Sequence, residues 1–193
     1  MSELDLLLER LGTLHPKKID LSLGRIERLL DRLDRPQDRL PPVIHVAGTN
    51  GKGSTVAFLR AALEAAGYGV HAYTSPHLVR FNERIRLGRK GGGRLVDDAT
   101  LIKAIDDVLR VNADEPITFF EVTTAVAFHL YANQSADFCL LEVGLGGRFD
   151  ATNVISQPVA AAIASISDRF GAAPTPITWT ATPSCLAAVI AAA

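Results

Sequence analysis

The chain has 193 residues, 48% of them hydrophobic, and a formal net charge of −1. That is enough for one ordinary domain with a substantial core, and the near-neutral charge excludes a basic field for nucleic acid or an anionic membrane surface, so any anion must be captured locally. Cys139 and Cys185 stand in apolar runs without CxxC or His-rich surroundings, which argues against a disulfide frame or zinc site and for a reducing, cytoplasmic setting.

The opening segment "MSELDLLLERLGTLHPKK" is acidic early and lacks a basic leader, so it does not read as a signal peptide. No segment reaches the roughly 20 apolar residues that span a bilayer. From Ser22 to Asp34, Leu23, Ile26, Leu29, Leu30 and Leu33 form a helical stripe that Pro36 stops. Pro42 to Gly48 is a short β-branched run, read as a strand, and Ser54 to Ala66 is rich in helix formers with Gly67 at the expected C-terminal cap. Tyr68 to Thr74 reads as a second strand, and "RKGGGR" (Arg89 to Arg94) as a surface loop. Helices are expected from about Asp98 to Val111 and through "FEVTTAVAFHLYAN" to near Asn133. Asp137 to Gly144 and Val159 to Ile166 are nearly continuous apolar runs, which suits strands covered on both faces. Strands alternating with helices predict an α/β domain with a mostly parallel sheet flanked by helices.

The chemistry concentrates between the first strand and its helix, in "HVAGTNGKGST", His45 to Thr55. Glycines 48, 51 and 53 let the backbone turn sharply and present its N–H groups to an anion, and the helix that follows adds the positive end of its dipole. Lys52 adds a full charge, and Ser54 and Thr55 are candidates to cap the helix. The segment departs from GxxxxGK[ST], with Val46 at the first glycine position and Gly53 directly after the lysine. A phosphate-binding turn is the better reading than a plain β–α turn. Since ligands of parallel α/β sheets sit at the carboxyl ends of strands, Ser75, Glu142 and the turn at 48–54 are expected to converge, and a carboxylate opposite such a turn suits Mg²⁺.

Four ordered stretches, "GTNGKGS", "TSPHLVRFNERI", "TFFE" and "LEVGLGGRFDATNVI", resemble the dihydrofolate synthase/folylpolyglutamate synthase family, relatives of the Mur peptide ligases, from about Leu14 to Ser167. The resemblance implies a three-layer P-loop-type domain like the Mur ligase central domain. It implies ATP-dependent amide formation, in which a carboxylate of dihydropteroate or a folate is activated as an acyl phosphate and displaced by the amine of L-glutamate. Thr49, Asn50, Gly51, Lys52, Gly53 and Ser54 match the ATP loop, and Ser75 and Glu142 match Mg²⁺ ligands, with Lys52 and Glu142 central to catalysis. Thr118, Phe119, Phe120 and Glu121, together with Leu14, His15 and Phe149, match the pterin-binding region.

Simpler readings stand beside these. Ser75 before Pro76 suits a turn, and Glu121 suits a first-turn helix acid. Arg80, Arg84 and Arg86 could clamp an acidic substrate or form a solvated edge. The five histidines show no metal-ligand spacing and read as structural or surface residues, and Cys139 reads as a small core residue. After "AAIASIS" the family pattern stops, and from Gly171 onward there is no charged residue. The expectation is an incomplete ATP-binding ligase domain over 1–167, a divergent, poorly ordered apolar tail over 168–193, and no C-terminal glutamate-binding domain. The partners expected are small molecules, with no nucleic acid and no membrane, and the chain a monomer. A non-catalytic nucleotide- or pterin-binding fragment and a P-loop small-molecule kinase are the alternatives.

Overall fold

The computed structural model describes residues 2–13, 22–144 and 147–165, and the backbone of 178–181. Its centre is a seven-stranded sheet. In chain order the strands are β1 (Val43–Ala47), β2 (Val70–Tyr73), β3 (Ile85–Leu87), β4 (Arg94–Leu95), β5 (Phe138–Glu142), β6 (Ala160–Ile163) and β7 (Thr178–Ala181), arranged in space as β4-β3-β2-β5-β1-β6-β7. The four inner strands run parallel, with Val43 opposite Cys139, Val70 opposite Phe138 and Ile44 opposite Ala160. β3, β4 and β7 are antiparallel additions at the two edges.

Alternation along the inner strands feeds two cores. Val43, Tyr73, Cys139 and Leu141 face one way, against α1 (Glu3–Gly12), α2 (Gly24–Arg32), α4 (Asp98–Asn112) and α5 (Phe119–Ala132). Ile44, Val46, Val70, Ala72 and Leu140 face the other way, against Val56 and Leu63 of α3 (Lys52–Ala65). Helices on both faces explain why β1, β2 and β5 are buried along nearly their whole length and mostly apolar, with His45, His71 and Glu142 as their polar members, instead of alternating with exposed residues. The expected α/β, mostly parallel, helix-flanked fold is the one observed.

Local signals account for most boundaries. Ser2 caps α1 and Asp97 caps α4, each by accepting from a backbone N–H three residues on. Gly67, at φ +91°, ends α3 in the left-handed conformation expected of a terminal glycine. α5 is buried on nearly every side, as a helix wedged between sheet and neighbouring helices must be. The "RKGGGR" loop is the turn of the β3–β4 hairpin. Leu14 and His15 lie outside the described residues. So does the tail, apart from the β7 backbone, which covers the open side of β6.

Candidate functional site

The carboxyl ends of β1, β2 and β5 lie side by side, and each delivers one component of the site. β1 runs into Gly48, at φ +138°, where a Cβ would stand 3.0 Å from the backbone carbon and oxygen of Ala164. The close approach and the dihedral both demand glycine. Beyond it, the amides of Thr49 and Asn50 donate to Ser165 O at 2.8 and 3.2 Å, tying the turn to the end of β6. Gly51, at φ +82°, is the N-cap of α3.

That arrangement differs from the expected capping. α3 begins at Lys52, so Ser54 is its third residue, and no side chain caps the helix. The hydroxyl of Thr55 donates back to Gly51 O at 2.9 Å. The reason is that Gly51 supplies the left-handed turn and leaves the N-cap position without a side chain. The first-turn amides of Lys52, Gly53 and Ser54 are thereby donors that the helix itself does not satisfy, at the positive end of a 14-residue helix. Lys52 Nζ donates to Gly48 O at 2.9 Å and to Thr49 O at 3.4 Å, folding over the turn it belongs to.

Glu142 closes the far side. It ends β5 next to Val46, is 5% exposed, and accepts from the Ser75 amide at 3.2 Å. A Cβ on Gly53 would stand 3.8 Å from Glu142 Oε2, so the first turn of α3 sits directly beside the carboxylate. Burial pushes the Glu142 carboxyl above its ordinary range, against the pull of the Ser75 amide and the Lys52 charge. Gly53, Ser75 and Glu142 line a cleft of about 480 Å³ together with Arg60 and Arg86. The sequence-expected convergence of the turn at 48–54 with Ser75 and Glu142 is therefore present.

The chemistry of these donors fits a hard divalent cation: two oxygen-bearing side chains on one cleft, one of them a buried carboxylate with a single amide bonded to it. Among the described residues no three His, Cys, Asp or Glu gather into a cage. A cation here would complete its shell with phosphate oxygens and water, as Mg²⁺ commonly does.

The "TFFE" residues divide between two tasks. Thr118 and Glu121 form a capping box at the start of α5, and Glu121 also meets Arg25 of α2 at 3.1 Å with both side chains largely buried. Phe119 packs edge-on against Phe81 at 5.9 Å, beneath the guanidinium of Arg84. Phe120 leans on Tyr73 and presses on the exit of β5, where a Cβ on Gly144 would be 2.5 Å from the ring. Phe120 thus borders the loop leaving Glu142. Phe149, farther along that loop, is 45% exposed beside Arg148.

The three loop arginines each turn to a separate partner. Arg80 meets Asp98, Arg84 donates to His77, and Arg86 meets Glu64. Glu83 instead organises that loop by accepting from the amides of Leu78, Val79 and Arg80. His71 and Cys139 are fully buried, and burial drives the thiol's pKa far up, as a core cysteine requires. Sequence reading missed Arg25, which lies 96 positions from Glu121 and carries no local signal. It also missed the bond from buried His45 to Thr152, although His45 adjoins the phosphate-type turn.

No protein-family model matches the chain. It is 41% identical over 153 residues to the dihydrofolate synthase/folylpolyglutamate synthase of Escherichia coli, covering 79% of this chain and 35% of that protein. Against the enzyme of the same name from Mycobacterium tuberculosis it is 41% identical over 152 residues, covering 74% and 31%. Among solved structures, E. coli FolC in complex with DHPP and ADP aligns with a TM-score of 0.78 at 38% identity, over 87% of this chain and 39% of that one. The Yersinia pestis bifunctional enzyme complexed with AMPPNP and Mn ion aligns at 0.77 and 38%, over 89% and 41%. The chain therefore spans about a third of the length of the curated relatives it matches. By sequence and by fold, the chain belongs to the dihydrofolate synthase/folylpolyglutamate synthase family.

Proposed function

We propose that this chain is the nucleotide- and metal-binding part of an ATP-dependent ligase that joins L-glutamate to dihydropteroate or folates through an acyl phosphate, and that alone it is catalytically incomplete. One observation carries the reading: the first turn of α3 stands against a buried carboxylate, Glu142, which is bonded to the amide of Ser75 at 3.2 Å. Relatives have been solved with ADP, AMPPNP and Mn ion, which supports the same ligands here.

In this reading the amides of Lys52, Gly53 and Ser54 bind phosphate oxygens beside Thr49, Asn50 and Gly51. Lys52 leaves the carbonyls of Gly48 and Thr49 to neutralise charge on the transferred phosphoryl group. Ser75 and Glu142 would hold Mg²⁺, which when bound offsets charge on the phosphate oxygens. Phe119 and Phe120, with Phe149 and the Leu14–His15 segment, would line the route of the pterin. Thr118 and Glu121 hold the start of α5 that carries the two rings. Incompleteness is supported by the chain spanning 35% of its E. coli relative, because positioning and water exclusion would fall to parts that lie elsewhere.

Calorimetric titration with Mg·ATP tests the binding half. The chain is expected to bind, and Lys52→Ala to weaken binding about tenfold or more, as loss of a charge-assisted contact to phosphate should. Absence of heat would refute the reading. Glutamate-dependent ADP release with dihydropteroate tests the other half. Turnover near the enzyme median of about 10 s⁻¹ would refute incompleteness.

A further inference from the structure

Behind the glycine loop lies a buried polar chain to which none of the foregoing roles has been given. His45 sits mid-strand in β1, opposite Leu141 on one side and Ala161 on the other. Its Nε2 lies 2.8 Å from Thr152 Oγ1, whose hydroxyl donates to Asp150 Oδ1 at 2.6 Å. Thr152 N donates to the same oxygen at 3.0 Å. His45, Asp150 and Thr152 are 8%, 3% and 0% exposed. A threonine hydroxyl has one hydrogen, and Asp150 receives it. His45 Nε2 must therefore carry its own proton and donate to Thr152.

The segment that this chain grips has little regular structure. It consists of two short 3-10 turns, Gly147–Phe149 and Ala151–Val154. Asp150 N to Gly147 O, Asn153 N to Asp150 O and Asn153 Nδ2 to Arg148 O all close within the segment. The His45–Thr152 bond instead spans 107 positions and anchors the segment to the centre of the sheet. Burial makes the anchor stringent, because a buried hydroxyl or carboxylate that loses its partner must find another arrangement.

We propose that His45 is a positioning residue for the pterin-bearing substrate: by donating to Thr152 it fixes the conformation of residues 149–152 and so the placement of Phe149. This rests on the functional reading above, in which Phe149 borders the pterin. The nucleotide turn, on the other side of Val46, is anchored separately through Ser165, so the two ligands should respond differently.

The test compares the chain with His45→Phe and Thr152→Val, which delete the bond from either end, and with His45→Gln and Thr152→Ser, which keep a donor and an acceptor. Both deletions should weaken dihydropteroate binding about tenfold while Mg·ATP affinity stays within about twofold, with the conservative pair restoring it. Amide exchange at residues 149–152 should quicken in the deletions alone. Equal losses for both ligands, no loss for dihydropteroate, or failure of both conservative variants to restore it would overturn the assignment. Should His45→Phe not fold, Thr152→Val decides. A parent chain that binds Mg·ATP but not dihydropteroate would refute the functional reading by itself. Amide exchange then judges His45, and unchanged exchange in both deletions overturns it.

Discussion

Glu142 illustrates what a candidate site residue costs its own fold. Its carboxylate is buried at a strand end with its pKa raised above the ordinary value by desolvation, so in the ligand-free chain ionisation at neutral pH works against folding. Glu142→Gln removes that burden and keeps an acceptor for the Ser75 amide. The expected result is a higher thermal midpoint at pH 7 without ligand. The gain should shrink toward pH 4, where the native carboxyl is itself neutral, while Mg²⁺ no longer strengthens ATP binding. A lower midpoint at pH 7 would contradict this account. Gly144 makes the opposite point, since its lack of a side chain is what Phe120 requires. Gly144→Ala places a methyl 2.5 Å from the ring and should destabilise by about 1–3 kcal/mol, the usual penalty of overpacking, read as a shift in urea midpoint.

At the level of elements, the placement of Phe119 and Phe120 beside the candidate site depends on how α5 starts. Thr118 and Glu121 cap it reciprocally at 3.2 and 2.7 Å, and Arg25 braces Glu121 from α2. Thr118→Ala should cost about 1 kcal/mol, a typical N-cap loss. Glu121→Ala, which also takes a largely buried ion-pair partner from Arg25, should cost more, about 2–4 kcal/mol; chemical denaturation distinguishes the two, and equal losses would deny the Arg25 pair any structural part. The capping box was legible in the sequence as a Thr-to-Glu spacing before an apolar helix, whereas its partner was not, because tertiary pairing leaves no periodic trace. The same division runs through the fold. β1, α3, β2, α4, α5, β5 and β6 announce themselves by apolar runs, periodicity and terminal glycines. β3 and β4 are three and two residues long, too short to show alternation, and their pairing is fixed by the sheet edge. The convergence of Gly53, Ser75 and Glu142 followed from parallel-sheet geometry alone. The missing side-chain cap of α3 did not, because it turns on the left-handed φ of Gly51.

For the molecule as a whole, three histidines make folding sensitive to mild acid. Burial lowers His45, His71 and His129 below the ordinary 6.5, with Asp150 partly offsetting this at His45 and Arg39 reinforcing it at His129. His71 is the most constrained. Gly88 N–H donates to its Nδ1 at 2.9 Å, so Nε2 carries the proton and donates to Gln134 O at 3.0 Å, with the ring stacked on Tyr131 at 4.4 Å. A second proton would have to displace the Gly88 amide, whose backbone packs directly on β2, where a Cβ on Gly88 would lie 2.3 Å from the Val70 backbone. Because the folded pKa values lie below the unfolded one, the unfolded chain binds more protons once pH drops past 6.5. Stability should therefore hold above that value and decline below it. Urea midpoints measured between pH 8 and pH 5 should fall in the lower half of that range. The range stays above the ordinary carboxylate region, although Glu142, with its raised value, pulls the other way as it takes up its proton. His71→Gln isolates the histidine, since it keeps a donor toward Gln134 but nothing to titrate, and its midpoint should vary less with pH than the parent's. If both chains lose stability equally across the range, the proton is taken up elsewhere and the His71 brace is not what senses acid.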